Sequence, residues 1–323
     1  MNTKDKINEL RQIIDNVLIP EITNDYIYLD LPYYTNIGDT LIWEGTKNFL
    51  KKVPYKCLYA TDMSFFIQKQ ISSDTIILMH GGGTFGGWYR EHTNFRKRII
   101  ELYPNNKIIV LPQSVYYEND NYLKDDVCFY KKHMNVLICA RDRTTYDFIK
   151  KNFYNKTLLL PDLAFYVNID DYSIKPSKGK TLFLKRNDIE YVASYSYKRI
   201  TDNVDCSDWP TYKHQILKLR IVDVVFRFFK LIGLIFGGEK LKNRLEDFKR
   251  DFFYRKTYVQ LGIDFLSKYD TIYTTRLHVL ILGVLLHKDI YIYNNTTKKL
   301  GNFYNSWLSQ LHNVTLQKSD SDE

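Results

Sequence analysis

The 323 residues are 45 % hydrophobic, which excludes an intrinsically disordered chain and allows a large core or, at this length, two domains of about 150 residues each. The 46 basic and 37 acidic residues leave a formal charge of +9; this points to an anionic partner without choosing among a nucleic acid, an anionic membrane and a phosphorylated small molecule. Cys57, Cys128, Cys139 and Cys206 lack metal-ligand spacing, and the opening MNTKDKINELRQ reads as a polar helix rather than a signal peptide, so a cytoplasmic, reducing setting is expected.

In chain order, residues 5–17 read as an amphipathic helix and YIYLDLP at 26–32 as the first strand. Asn36, Gly38 and Asp39 then form a loop ahead of a helix over 40–50. A polar loop at a helix start can hold an anion or a sugar hydroxyl, which makes Asn36 and Asp39 candidate substrate contacts; the same residues can also be a capped turn and nothing more.

After a strand at 55–60 comes TIILMHGGGTFGGW, residues 75–88. Its apolar run is short, unalternating and β-branched at the start, as expected of a strand covered on both faces of a parallel sheet. The glycines let the backbone turn sharply and let another group approach, so His80, Gly81 and Gly82 are candidates at the strand's carboxyl end, where open α/β sheets bind ligands. A glycine turn required for packing alone is the competing reading.

KIIVLPQS at 107–114, VLICARD at 136–142 and TLLLPDLAF at 157–165 continue the strands, with helices near 92–102, 120–132 and 144–152. Strands alternating with helices predict a doubly wound α/β domain. The strands end in Gln113 and Ser114, in Arg141 and Asp142, and in Pro161 and Asp162. Arg141 can grip a carboxylate or phosphate through two parallel hydrogen bonds, or act as a local brace with its neighbouring aspartate.

SIKPSKGK at 173–180 reads as a linker between a domain over 1–172 and a second over 181–323, where TLFLKR at 181–186 restarts the strand pattern. Residues 212–250 carry ten basic and four acidic side chains, so most of the net charge lies in this one insert. On a helical projection Leu217, Ile221, Val224, Val225, Phe228, Phe229, Ile232 and Ile235 share one face, while Arg220, Asp223, Arg227 and Lys230 share the other. The charges exclude an ordinary spanning helix. A helix lying in a membrane interface and a core-facing helix with solvated cations both fit.

The stretch YDTIYTTRLHVLILGVLLHKDIYIYNNTTKK, residues 269–299, reads as a strand at 271–275, an apolar helix at 277–287 and a strand at 289–293. Arg276 and His278 flank the helix start, where backbone amides favour an anion and a histidine can exchange a proton near neutral pH. His287 falls at the helix's far end, as a capping residue.

The motifs together resemble the polysaccharide pyruvyltransferase family: NIGD at 36–39, HGGG at 80–83, RD at 141–142 with Thr145, PD at 161–162, RLH at 276–278 and YNNTTKK at 293–299. The resemblance implies two facing Rossmann-like domains, similar to the GT-B glycosyltransferase architecture, with the active site in the interdomain cleft. It implies transfer of pyruvate from phosphoenolpyruvate onto two hydroxyls of one sugar, such as galactose as a 4,6-ketal, in a capsular or exopolysaccharide repeat unit. Arg141 and Arg276 fall on the family's donor-binding arginines, His278 on its catalytic histidine and Lys298 on a donor-pocket lysine, with Lys299 adjacent in a loop that can slip by one.

Ketal chemistry needs a proton donor and fixed cations but no metal or organic cofactor, so none is expected. The implied partners are phosphoenolpyruvate, an undecaprenyl-diphosphate-linked glycan and an anionic membrane surface, met from the inner face of the cytoplasmic membrane. No nucleic acid is expected, because no recognised reading module is present. A sugar-nucleotide-dependent glycosyltransferase and a non-catalytic membrane-docking assembly protein are the alternatives.

Overall fold

The computed structural model describes residues 1–177, 179–184, 204–210, 217–294 and 298–317, with the side chains of 232–237 outside that description. Lys213, Lys185, Arg186, Asn295, Thr296 and Thr297, all within expected motifs, lie outside the described residues. The chain is α/β, built on two parallel sheets with helices between and around them.

The first sheet takes β1 (Tyr26–Leu29), β2 (Cys57–Thr61), β3 (Ile76–Met79), β4 (Gly82–Gly86), β5 (Ile108–Tyr116), β6 (Val136–Ala140) and β7 (Thr157–Leu159). Its order is β2-β1-β3-β5-β6-β7, with β4 beside β5. β1, β3 and β6 are buried at every position, which is why they read as continuous apolar runs. The second sheet has the order β12-β11-β10-β8-β9, from β8 (Lys180–Leu184), β9 (Val204–Ser207), β10 (Tyr269–Thr274), β11 (Asp289–Ile292) and β12 (Val314–Leu316). Two such sheets are consistent with two Rossmann-like domains.

The helices are α1 (Thr3–Leu18), α2 (Ile37–Leu50), α3 (Arg90–Leu102), α4 (Asp120–Tyr130), α5 (Arg143–Asn152), α6 (Leu217–Lys249), α7 (Arg255–Leu266), α8 (Leu277–Leu285) and α9 (Lys299–Trp307). Two of them are shared between the sheets. Ile7 and Leu10 of α1, with Ile37, Leu41 and Ile42 of α2, join the core under the second sheet. Ile14 and Leu18 of α1, with Trp43, Phe49 and Leu50 of α2, join the core under the first. α2 is therefore buried nearly all round, as a helix packed on several sides must be, and its buried Glu44 pairs with Arg255 of α7. At Gly45 an added Cβ would fall 2.0 Å from the Leu163 carbonyl oxygen, so that approach needs a glycine.

Local chemistry moves several expected boundaries. The Asn36 side chain accepts from Gly38 N at 2.8 Å, so α2 begins at Ile37 rather than at residue 40. The glycine run is not only a turn. Residues 82–86 form β4 alongside the outer half of β5, where β3 no longer reaches, with Phe85 opposite Val115 and Gly86 opposite Tyr116. Positive φ at Gly82 and Gly86 makes this possible, and a Cβ on Gly86 would meet the Tyr116 oxygen at 2.1 Å. TLLLPDLAF is a strand only to Leu159, because Asp162 caps a 3-10 turn over Leu163–Tyr166 by accepting from Ala164 N at 2.9 Å.

α6 contains a break at Gly238 (φ 62°, ψ −163°) that divides it into two arms. The arms pack side by side: Phe226 stacks on Phe248 with ring centres 6.2 Å apart, Asp223 accepts from Lys249 at 3.0 Å, and Lys230 pairs with Glu246. The second arm is tied to the first sheet. Asp247 accepts from the hydroxyls of Tyr33 at 2.9 Å and Thr61 at 2.7 Å, and Arg250 donates to the Tyr33 carbonyl at 2.9 Å. A π-helical turn, Arg250–Tyr254, leads into α7.

Candidate active site

The loops after strands of both sheets meet around a cavity of about 360 Å³. Its lining includes Tyr34, Asn36, Gly38 and Asp39 beyond β1, Gly83 and Thr84 in β4, and Arg141 beyond β6. From the other sheet come Trp209 beyond β9, Arg276, Leu277 and His278 beyond β10, and Lys299 and Leu300 at the start of α9. The starts of α2, α8 and α9 thus converge, each bringing backbone amides that favour an anion.

Arg141 is the most constrained cation in the wall. Its Nε donates to Ser114 Oγ at 2.8 Å and its Nη1 to Asp162 Oδ2 at 2.9 Å, while its carbonyl accepts from the Trp307 indole of α9 at 2.7 Å. Ser114 is fixed in turn by donating to Asp142 at 3.1 Å, and Asp142 caps α5 through Thr145 N at 2.8 Å. The Nη2 end of the guanidinium lies towards Gly83, where a Cβ would stand 3.5 Å from it. Arg141 thus lines the cavity and is braced, though by Asp162 and Ser114 rather than by the neighbouring Asp142.

Asp162 links that arginine to His278, whose Nε2 lies 3.6 Å from Asp162 Oδ2. That exceeds hydrogen-bond length, so the contact is electrostatic. Burial alone would raise the Asp162 carboxyl, but the His278 side chain, Arg141 and the Ala164 amide outweigh it and hold Asp162 well below the usual carboxylate range. The other edge of His278 rests on α2: a Cβ on Gly38 would come within 2.4 Å of His278 Nδ1. Gly38 thus makes room for the imidazole at the first turn of α2.

Arg276 is the N-cap residue of α8, and its fork meets Asp208, with Nε and Nη2 each 2.6 Å from a carboxylate oxygen. An incoming carboxylate or phosphate would have to share or replace that pairing. Asp208 gave no signal in the sequence, because the fold alone brings the chain beyond β9 to the chain beyond β10, across the intervening β8.

The glycine-run candidates act behind the wall. His80 is buried, hydrogen-bonded through Nδ1 to the Tyr28 hydroxyl at 2.5 Å, and does not line the cavity. Burial lowers its pKa to about 3, so it is neutral and structural. Gly81 and Gly82 also lie outside the lining, where Gly83 and Thr84 take their place. Gln113 is fully buried; it accepts from Thr84 N at 3.1 Å and donates to the His80 carbonyl at 2.8 Å, pinning the glycine run instead of reaching the cavity. Lys298 is likewise displaced by its neighbour. It adopts a left-handed conformation (φ 52°) and is exposed, whereas Lys299, on the first turn of α9, is buried, lines the cavity and lies over the Trp88 ring at 5.2 Å.

A part of the wall that sequence reasoning missed holds Tyr34, Met63, Tyr89, Glu91 and His92. His92 Nδ1 is 2.8 Å from Asp30 Oδ1, and both residues are buried. Burial disfavours the charged imidazole, but the Asp30 hydrogen bond and charge outweigh it and raise the His92 pKa. Asp30 follows β1 directly with φ 68°; the only hint in the sequence was an aspartate interrupting an apolar strand. Among the described residues, no three His, Cys, Asp or Glu side chains are grouped to hold a metal ion.

A family model described as polysaccharide pyruvyl transferase matches residues 36–295. The chain belongs to that family. EpsO of Bacillus subtilis, whose name assigns it to pyruvyl transfer, is 29 % identical over 98 % of this chain and 96 % of its own length. Pyruvyl transferase 1 of Schizosaccharomyces pombe is 27 % identical over 89 % of this chain and 70 % of its own. A crystal structure of a functionally uncharacterised Klebsiella pneumoniae protein shares the fold, with a TM-score of 0.64 at 22 % identity, covering 96 % of this chain and 98 % of that one. Membership makes the chain a polysaccharide pyruvyltransferase and favours that enzyme class over the two alternatives left by the sequence. The matched span begins at Asn36 and contains both the Arg141–Asp162 pair and the Arg276–His278 pair.

Proposed function

We propose that this pyruvyltransferase moves the pyruvyl group of phosphoenolpyruvate onto two hydroxyls of one sugar as a cyclic ketal, with galactose as a 4,6-ketal the leading acceptor. The observation that carries the reading is the convergence of Arg141, Arg276, Lys299 and His278 on one cavity. A donor with both a carboxylate and a phosphate calls for at least two fixed cations.

In this reading residues 1–172 and 181–323 are facing Rossmann-like halves of a GT-B-like enzyme, and the cavity is their cleft. His278 protonates the donor methylene, a sugar hydroxyl attacks the oxocarbenium-like carbon, phosphate leaves, and a second hydroxyl closes the ring, its proton passing to the released phosphate. Arg276, Lys299 and the α8 amides stabilise the departing phosphate, while Arg141 holds the carboxylate. His92, oriented by Asp30, accepts a proton from the attacking hydroxyl. Asn36 and Asp39, at the start of α2, lie where the acceptor enters. No resident cofactor or metal takes part. The acceptor is a capsular or exopolysaccharide repeat unit on an undecaprenyl diphosphate, which a cytoplasmic enzyme reaches at the inner face of the membrane.

The test is phosphate release from phosphoenolpyruvate across a panel of glycan acceptors, including galactose-terminated lipid-linked ones. Release that requires both donor and acceptor is expected. Consumption of a sugar nucleotide, with no phosphate released from any mixture, would sink the assignment.

A further inference from the structure

The helix left undecided by its sequence is settled in orientation by its neighbours. Leu219 and Phe226, seven residues apart, are the buried positions among the described side chains of the first arm of α6, and that spacing puts them on one face. Leu217, Ile221, Val224, Phe228 and Leu231 follow steps of four, three, four and three, so they form a stripe on the opposite face. They are 57 to 71 % exposed. Phe248 on the second arm and Phe252 in the π-helical turn are also exposed and stack at 5.3 Å. An ordinary surface helix turns its apolar stripe to the core; this one turns it away.

Charge is sorted in the same sense. Asp223 meets Lys249 and the Tyr254 hydroxyl, Glu246 meets Lys230, Lys249 and Arg250, and Asp247 meets Tyr33 and Thr61. These acids are held inside the packed part of the hairpin. Arg220 and Arg227 are exposed along one border of the apolar stripe and Lys218 along the other. Near the tip, Glu239 is exposed, 3.8 Å from Lys242. An outward apolar stripe with basic borders complements a surface whose interior is hydrocarbon and whose rim is anionic. A second copy of the chain fits less well: both borders are basic, so a two-fold pairing of stripes would set cations against cations.

We propose that the first arm of α6 is a membrane-docking element that seats its outward stripe in the interfacial region of an anionic lipid bilayer. It lies on the surface and does not cross, since no described helix is long and apolar enough to span. The hairpin is joined to the cavity rim, because Arg250 donates to the carbonyl of Tyr33, the residue before the cavity-lining Tyr34. Docking would thereby bring a lipid-linked acceptor within reach of the cavity. The biological reason for docking rests on the reading above, whereas docking itself is measured without any turnover.

The full-length protein would be sedimented with vesicles of phosphatidylglycerol and phosphatidylcholine, and with phosphatidylcholine alone, at low and high salt. Binding should be at least several-fold stronger to the anionic vesicles and should weaken as salt rises. Arg220→Gln with Arg227→Gln should lower it by about tenfold or more at low salt, and Val224→Ser with Phe228→Ser should abolish it. Unchanged circular dichroism would show that both variants fold, as substitutions at exposed positions allow. Failure of the intact chain to bind anionic vesicles, or equal binding by all three proteins, would overturn the proposal. A concentration-dependent dimer lost in Val224→Ser/Phe228→Ser, without vesicle binding, would also overturn it and assign the stripe to a second copy.

Discussion

In the cavity wall, carboxylates are set against side chains that face the space: Asp162 between the Arg141 guanidinium and the His278 ring, and Asp208 against the fork of Arg276. In the α6 hairpin Asp223, Glu246 and Asp247 are engaged by neighbouring cations and hydroxyls, and the outer face of the first arm is left apolar with a basic border. Both regions are rich in cations, yet the physical consequences differ. A paired, buried cation is held in one geometry, and removing one partner leaves the other uncompensated. An exposed cation beside an apolar stripe is steered by salt and contributes through long-range attraction. The first arrangement suits a small anion that must be oriented, and the second suits an extended anionic surface.

If this contrast holds, substitutions in the cavity should act on chemistry or donor binding, and those in the hairpin should not. The largest effect is expected for His278→Ala. It should reduce turnover by roughly 10²-fold or more and leave phosphoenolpyruvate affinity within a few-fold, as for loss of a general acid. Calorimetric titration beside steady-state phosphate release separates the two quantities, and full turnover in this variant would remove His278 from the mechanism. Next comes Arg276→Ala, which should weaken donor binding by about 1.5 to 3 kcal/mol, roughly 10- to 150-fold. An unchanged affinity would mean that the fork serves contacts within the protein, Asp208 among them, and not the donor.

Gly38→Ala sharpens the comparison further, because alanine suits a helix and the added Cβ meets His278 Nδ1 at 2.4 Å before the Asn36 oxygen at 3.2 Å. Turnover is expected to fall about tenfold with little loss of stability, the signature of a misplaced catalytic group. Thermal denaturation combined with kinetics would reveal the opposite pattern, lost stability with normal turnover, if the imidazole simply moves aside.

The effect expected to be smallest near neutral pH comes from His80. The folded protein keeps His80 neutral down to about pH 3, whereas an unperturbed histidine protonates near 6.5. The unfolded chain therefore binds the extra proton between those values, so His80's contribution to stability is fully present above 6.5 and declines as pH falls towards 3. Melting temperatures followed downward from pH 6.5 should drop less steeply in His80→Gln than in the intact chain. Parallel slopes would show that His80 is not held neutral.

The fold was legible where one local rule governed. β1, β3 and β6 are buried on both faces and read as apolar runs, and α5 and α8 follow capping positions visible as Asp142 and Arg276. The glycine run was misleading because β4 forms only where β5 outlasts β3, a matter of strand lengths in three dimensions. The same limit applied to the site. Arg141, Arg276 and His278 stand at strand ends and could be found from periodicity, while His92 reaches the cavity, and Asp30 and Asp208 reach their partners in its wall, only through the fold. Lys299 replaced Lys298 through one left-handed residue, and a single step in register at a helix start changes which side chain faces inward. For α6, helical spacing gave the stripe, but only the packing of Leu219 and Phe226 gave its direction.

The central claim is best tested by following the carbon skeleton of the donor. The enzyme would be incubated with isotope-labelled phosphoenolpyruvate and a galactose-terminated, lipid-linked acceptor, and the glycan product would be examined by mass spectrometry and NMR. The account predicts that all three donor carbons appear on one sugar as a cyclic, acid-labile ketal, with one phosphate released per ketal formed. Phosphate release with no label in the glycan, or glycan extension by a sugar in place of the label, would contradict it.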